Sequence, residues 1–148
     1  MSRYAVDRME ILLVEDTLED ANVTIQALKS GNVRCRVTLV CDGEEAISFL
    51  HRKGEFAQAP MPNLILLDMQ LPKKQGAQVL VEIRASEQLK DISVVVLTGS
   101  AVQREFLQAQ ELHVDGFMTK TVDLDKFIGV VKSLRRAWLA EIILSPIA

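Results

Sequence analysis

The sequence predicts an α/β fold, a doubly wound sheet of five parallel strands with helices on both faces. Three observations carry this prediction. Short apolar runs such as Ile11–Val14, Leu64–Leu67 and Ile92–Leu97 recur along the chain. Segments of helical period separate them. The connections are short, and a strand followed by a helix and another strand packs as a parallel crossover.

Met9 to Val14 reads as the first strand. Thr17 to Ser30 follows as a helix with Leu18, Ala21, Ile25 and Leu28 on one face. Thr17 is the expected N-cap, Glu19 and Asp20 suit the first turn, and Gly31 lies just past the end. Val33 to Val40 alternates enough for a strand with one more exposed face. Asp42 is expected to cap a helix that turns Ala46, Ile47 and Leu50 inward. Lys53 to Pro62 carries Gly54, Pro60 and Pro62 and reads as loop. Leu64 to Leu67 is a fully apolar strand. Gln75 to Ser86 is helical, with Val79, Leu80 and Ile83 inward. Ser93 to Leu97 is valine-rich, as a central strand covered on both faces should be. Ala101 to Leu112 is helical, with Val102, Phe106 and Ala109 placed together. Gly116 to Met118 is a short strand. Asp123 caps a long last helix with Leu124, Phe127, Ile128, Val131 and Leu134 on one side. A flavodoxin-like strand order of 2-1-3-4-5 is expected, with ligands beyond the carboxyl ends of the first and third strands.

The 148 residues, 49% hydrophobic and 25% charged, fit one domain with a full core. The expected layout of 1–148 is an N-terminal arm over 1–8, a core over 9–134, and an extended last helix and tail over 135–148. A net charge of −3 argues against non-specific nucleic-acid binding, which needs a basic surface. Met1 to Arg8 lacks a signal-peptide core, and no apolar run is long enough to cross a bilayer, so no membrane is expected. Cys35 and Cys41 are expected reduced, one buried in a strand and one near its end. The reading is cytoplasmic.

The predicted strand ends carry the chemistry. Glu15-Asp16 closes the first strand, Asp68 the third, Thr98 the fourth and Lys120 the fifth. Three carboxylates at one sheet edge repel unless a cation sits among them. Oxygen ligands with room for water suit Mg²⁺, and the backbone carbonyl of Gln70 is the natural further ligand. His51 and His113 are far apart in sequence and expected at helix surfaces or ends, so nothing suggests zinc. A carboxylate nucleophile can take a phosphoryl group as an acyl phosphate. Its attack needs charge neutralisation on the transferring oxygens, from the metal, the Lys120 amine and the Thr98 hydroxyl. Each residue alone has a blander reading: helix-start acid, turn former, cap, solvated amine. Their ordered coincidence at four strand ends outweighs those readings.

With Leu71-Pro72 and Gly76, these residues make the sequence resemble the response-regulator receiver domains of two-component signalling over nearly its whole length. The resemblance implies Asp68 as phosphoacceptor, with Glu15, Asp16, Asp68 and the Gln70 carbonyl holding the metal. It also implies Thr98 and Phe117 as a switch pair, in which the hydroxyl moves toward the phosphoryl group and the ring turns inward. Pro62–Asp68, Leu71–Lys74, Glu111–Val114 and the Trp138-Leu139 helix are similar to the stand-alone receivers that serve phytochrome histidine kinases. That implies a phytochrome-type kinase as partner. Two departures stand out. Thr121 follows the lysine where most receivers have proline, so the bond before it is expected either trans with a shifted loop or held cis at a cost of ~3–4 kcal/mol. The phytochrome-type receivers commonly share this departure. Gln75 replaces the usual Asp before Gly76, which removes a loop charge and alters a cap.

Two other function classes compete. A phosphatase of the haloacid-dehalogenase type needs a second acid two residues after the nucleophile, where this chain has Gln70, and a nucleophile on the first strand. A phosphorylation-independent dimeric interaction module needs only the last helix. Asp123 to Leu144 would span about 33 Å as helix, and Trp138, Leu139, Ile142 and Ile143 make its second half apolar. Such side chains call for a covering surface, and a two-fold homodimer is the expected one. Truncation before Ala137 is expected to give a monomer that still accepts phosphate. An unchanged elution volume on a sizing column would contradict the dimer.

Overall fold

The computed structural model describes residues 9–31, 34–71, 73–98, 101–119 and 124–132. Five strands form its sheet: β1 (Met9–Val14), β2 (Cys35–Val40), β3 (Leu64–Asp68), β4 (Ser93–Leu97) and β5 (Gly116–Met118). Their order is β2-β1-β3-β4-β5, and every pairing is parallel. Five helices lie between and after them: α1 (Leu18–Ser30), α2 (Gly43–Leu50), α3 (Gly76–Ala85), α4 (Ala101–Ala109) and α5 (Leu124–Lys132). The flavodoxin-like arrangement read from the sequence is the one observed. A 3-10 turn, Gly54–Phe56, interrupts the loop before β3, and Phe56 meets Phe49 edge to face at 5.4 Å.

The period of two along the strands sorts the core into two halves. Leu12, Val14, Ile65, Leu67, Val94 and Val96 face one side, where α2, α3 and α4 supply Phe49, Leu50, Val79, Leu80, Ile83 and Leu107. Met9, Ile11, Leu13, Leu64, Leu66, Val95 and Leu97 face the other, against Ala21 and Leu28 of α1 and Phe127 and Val131 of α5. β1, β3 and β4 are therefore covered on both faces, which is why their sequences show no polar alternation. β2, at the edge, is only half-buried over most of its length.

Local chemistry fixes the joints. Asn63 and Glu10 bond reciprocally: the Glu10 amide donates to Asn63 Oδ1 at 2.8 Å and the Asn63 amide to the Glu10 carbonyl at 2.8 Å. This pins the entry of β3 beside β1. Asp42 caps α2 as expected, accepting the Glu45 amide at 2.7 Å, while Glu45 accepts the Cys41 amide at 2.9 Å. The arrangement resembles a capping box, with the return bond made to the residue before the cap rather than to the cap itself. Thr17 occupies the cap position of α1, but its side chain makes no capping bond. Gln75 likewise starts α3 without a side-chain cap.

Two helix faces differ from the sequence reading. On α1 the buried stripe is Ala21, Thr24 and Leu28, with Ile25 partly buried, while Leu18 is 63% exposed. The helix starts four residues past the end of β1, so its first turn overhangs the sheet. On α4, Val102 and Phe106 are 75% and 51% exposed, and Leu107 is the buried residue. This helix has few apolar residues, and its period permits either the 102/106 stripe or the 103/107 stripe. The cluster formed by Val94 and Val96 takes Leu107. The helix also ends at Ala109 rather than Leu112, closed by Glu111 at a φ of 57° and a Leu112 amide bond to the Leu107 carbonyl. His113 accordingly sits in the following loop, while His51 is the exposed C-cap residue of α2. Asp123 and Leu134 lie outside the described residues. Neither Cys35 nor Cys41 is in a disulfide; Cys35 is partly buried on β2 rather than fully buried, and Cys41 is exposed. No helix among the described residues is long and apolar enough to cross a membrane.

The amino-terminal edge of the sheet is tied by Arg84 of α3. Its Nε donates to the His113 carbonyl at 2.9 Å, and Nη1 donates to the carbonyls of Lys90 at 2.7 Å and Ile92 at 2.9 Å. Nη2 meets Asp115 Oδ2 at 3.0 Å, and the same oxygen accepts the Val94 amide at 2.7 Å. The Asp115 side chain is 2% exposed and that of Arg84 13%. Removing one partner leaves the other charge largely dehydrated. Asp115→Ala is therefore expected to lower stability by about 3 kcal/mol, read as an earlier urea midpoint at unchanged slope. An unmoved midpoint would show that the clamp contributes nothing.

Candidate functional site

Parallel register brings the polar residues together. Val14 pairs with Leu67 and Asp68 with Leu97, so the residues that follow β1, end β3 and follow β4 stand level at the carboxyl edge. Glu15, Asp68 and Thr98 are 2%, 3% and 6% exposed there, and Asp16 is exposed. One carboxylate oxygen from each of Glu15, Asp16 and Asp68 lies within 4.8 Å of the others. The sequence reading expected this meeting, and the geometry has it.

Backbone amides orient two of the acids. Glu15 extends the ladder, its amide donating to the Val40 carbonyl at 3.0 Å, and its Oε2 accepts the Thr17 amide at 3.2 Å. That bond turns the chain into α1. Asp68 Oδ1 accepts the Gln70 amide at 3.2 Å, which places the Gln70 backbone beside the carboxylate. Met69 and Leu71 are buried and fasten this loop to the core below. Gly76 closes the arrangement from α3. A Cβ there would sit 2.4 Å from the Asp68 carbonyl oxygen and 2.7 Å from Met69 Cα, so only glycine fits. The far end of the loop packs equally closely, with a Cβ on Gly43 falling 2.1 Å from the Lys74 carbonyl oxygen.

The remaining expected residues divide. Thr98 hangs from β5 by its amide, which donates to the Met118 carbonyl at 2.7 Å, and its hydroxyl donates to Gln103 Oε1 on α4. Phe117 is half-buried on β5, and the Arg104 guanidinium lies over its ring, 4.7 Å from the centroid. Thr98, Arg104, Phe117 and Lys126 line a cleft of about 380 Å³ between α4 and α5. Lys120 lies outside the described residues, as do the Lys120-Thr121 bond, Pro72 and the Trp138, Leu139, Ile142 and Ile143 surface. Met118 pairs with Leu97, so the chain reaches the carboxyl edge two residues before Lys120.

Charge at this edge reaches beyond the acids. Cys41 has its thiol pushed up from the ordinary cysteine value by desolvation first, then by the carboxylates of Glu45, Asp42 and Asp16. The donor set suits a hard divalent cation: three carboxylates with no nitrogen or sulfur among them, one of them exposed and open to water. Gln103 and Arg104 are the residues that sequence reasoning missed. They belong to no motif, and only the rotation of α4 turns them toward the site.

Residues 11–132 match the family model of the response regulator receiver domain. The chain belongs to that family. Receivers are signalling proteins, and this one is related to the phytochrome-associated response regulators. It is 40% identical to the response regulator Rcp1 of Synechocystis over 134 residues, 90% of this chain and 91% of Rcp1. The structure of Rcp1 in its Mn²⁺-bound form superposes with a TM-score of 0.72 at 38% identity, covering 95% of this chain and 99% of Rcp1. The phosphorylated cyanobacterial phytochrome response regulator RcpA gives 0.73 at 39%, covering 93% and 95%. The bacteriophytochrome response regulator RtBRR gives 0.80 at 36%, covering 86% and 78%. Receiver membership also removes the haloacid-dehalogenase alternative, since Asp68 ends the third strand and Gln70 stands where a second acid is required.

The tight seat of Gly76 makes a direct prediction. Gly76→Ala is expected to cost about 2 kcal/mol of stability, because neither the Asp68 carbonyl nor the Met69 backbone can retreat as a side chain could. If the three carboxylates hold a divalent cation, displacing Asp68 should also weaken its binding, measured by titration calorimetry with Mg²⁺. A variant with wild-type stability and affinity would contradict the close fit.

Proposed function

We propose that this chain is a stand-alone response regulator, a receiver core over 9–134 with an arm before it and an extended helix and tail after it. It accepts a phosphoryl group on Asp68 from a phosphohistidine of a phytochrome-type histidine kinase. The supporting observation is the convergence of Glu15, Asp16 and Asp68 within 4.8 Å at the carboxyl edge of a receiver sheet. The likeness to Rcp1, RcpA and RtBRR supports the phytochrome-type partner.

In the reaction a carboxylate oxygen of Asp68 attacks phosphorus in line with the leaving imidazole. The O–P bond forms as the N–P bond breaks, and the imidazole nitrogen keeps the electron pair and takes up a proton. Asp68 is presented by the Gln70 amide and by the Gly76 contact, so its orientation is set before the donor arrives. A Mg²⁺ ion held by Glu15, Asp16, Asp68 and the Gln70 carbonyl would supply charge neutralisation for the phosphoryl oxygens. Lys120 places its amine on a second oxygen, and the Thr98 hydroxyl turns to the third, with Phe117 following it inward. Output passes by protein contact or by relay of the phosphoryl group. The Trp138, Leu139, Ile142 and Ile143 face joins two copies as a homodimer, and the protein works in the cytoplasm.

Incubation with Mg²⁺ and a small phosphodonor such as acetyl phosphate is expected to add one phosphoryl group that alkali and hydroxylamine remove. Asp68→Asn should abolish it, and Asp16→Asn should lower the rate at least about tenfold. Labelling of Asp68→Asn at the wild-type rate would end this reading. Equal rates from phosphorylated phytochrome-type and unrelated kinases would remove the kinase assignment alone.

A further inference from the structure

Two adjacent residues of α4 engage the two halves of the proposed switch. Gln103 accepts the hydroxyl hydrogen of Thr98, and Arg104 covers the ring of Phe117 at 4.7 Å. Thr98 and Phe117 border one cleft. Thr98 and Met118, the residue after Phe117, are joined through the backbone at 2.7 Å. The hydroxyl has one hydrogen to donate, so a Thr98 that donates to Gln103 cannot also donate to a phosphoryl oxygen on Asp68. The Phe117 ring already packs against the core cluster of Val94 and Val96, and Arg104 covers it from outside, so any further inward turn alters the contact with Arg104.

The geometry points to Gln103 and Arg104 as positioning residues that hold Thr98 and Phe117 in the unmodified arrangement, and so set how readily the Asp68 site takes a phosphoryl group. This rests on the functional reading above and adds its regulation. The rotation of α4 is what makes it work. With Leu107 buried, position 103 is carried inward with it, half-buried, one turn nearer the strand end that bears Thr98. Position 104 lies beside it, where its long side chain reaches over β5. A ligand that needs Thr98 released must overcome the Gln103 bond, and its apparent affinity falls by the fraction of molecules still latched.

Beryllium fluoride, which takes the place of a phosphoryl group on a carboxylate, tests this on the full chain in saturating Mg²⁺. Affinity is read by titration calorimetry, and the amide resonances of Asp68 and Phe117 report the site and the switch. Gln103→Ala is expected to bind about fivefold more tightly than wild type, the worth of one ordinary hydrogen bond. Gln103→Asn, whose shorter side chain cannot reach, should match it and guards against one variant that folds poorly. Arg104→Lys keeps the charge but gives up planar stacking and should gain about twofold. Gln108→Ala, exposed on the same helix, should leave the affinity unchanged. In a Thr98→Val background, which has no hydroxyl to release, Gln103→Ala should have no effect. Unchanged or weaker binding by both Gln103 variants would overturn the latch, as would a gain that persists with Thr98→Val. Failure of the wild type to bind beryllium fluoride, or equal binding by Asp68→Asn, would instead remove the functional reading on which the latch depends.

Discussion

Like charges held close together are the constraint around which this structure is organised. Glu15, Asp16 and Asp68 bring ligand oxygens within 4.8 Å of one another, and two of these residues are almost wholly buried. No local preference of the chain would place them so. The strands force it, because Val14 sits beside Leu67 and Asp68 beside Leu97 in an apolar sheet covered on both faces. A slip of one residue would turn every buried strand side chain to the wrong layer. The hydrophobic core thus provides the force that opposes the repulsion. A cation placed among them would relieve that repulsion and gain affinity from it, so in the proposed function the unfavourable arrangement is itself the binding site.

The two edges of the sheet divide the labour. At the amino edge Arg84 spreads its donors over three carbonyls and Asp115, and Asp115 also takes the Val94 amide. Charges there are paired and their hydrogen bonds are made. At the carboxyl edge acids face acids, Gly76 and Gly43 permit backbone contacts that no side chain would allow, and the Cys41 thiol is pushed up by nearby carboxylates. Compensated charge is concentrated at one end and like charge at the other, as expected where a site is built from features that cost folding energy.

Much of this was legible in the residues. Unbroken apolar runs ending in Glu15-Asp16, Asp68 and Thr98 specify both the strands and the edge, because period and burial act locally and the short connections leave one handedness. The Asp42 cap, and Val79, Leu80 and Ile83 as the buried side of α3, were readable for the same reason. What escaped depends on relations between elements. Leu18 has the right spacing for the α1 stripe, but it overhangs the end of the sheet. Arg84 and Asp115 lie 31 positions apart and share no motif, so only the packed fold shows that they meet.

The rotation of α4 has a physical cause that bears on function. A helix with three large apolar residues in nine, Val102, Phe106 and Leu107, does not fix its own rotation. Choosing Val102 and Phe106 as the inward pair gives the larger apolar area on one stripe. The structure instead buries Leu107 and leaves those two at 75% and 51% exposure. Hydrophobic burial alone would not favour that rotation, so other contacts must contribute to it. Gln103 on Thr98 and Arg104 on Phe117 are contacts of that kind, and both come from the residues that the alternative rotation would carry away. A helix held in an otherwise less apolar seating by bonds to the site will feel any event that breaks those bonds. If Thr98 turns toward Asp68 as proposed, part of what fixes α4 is removed, and it is the exposed face bearing Val102 and Phe106 that would shift.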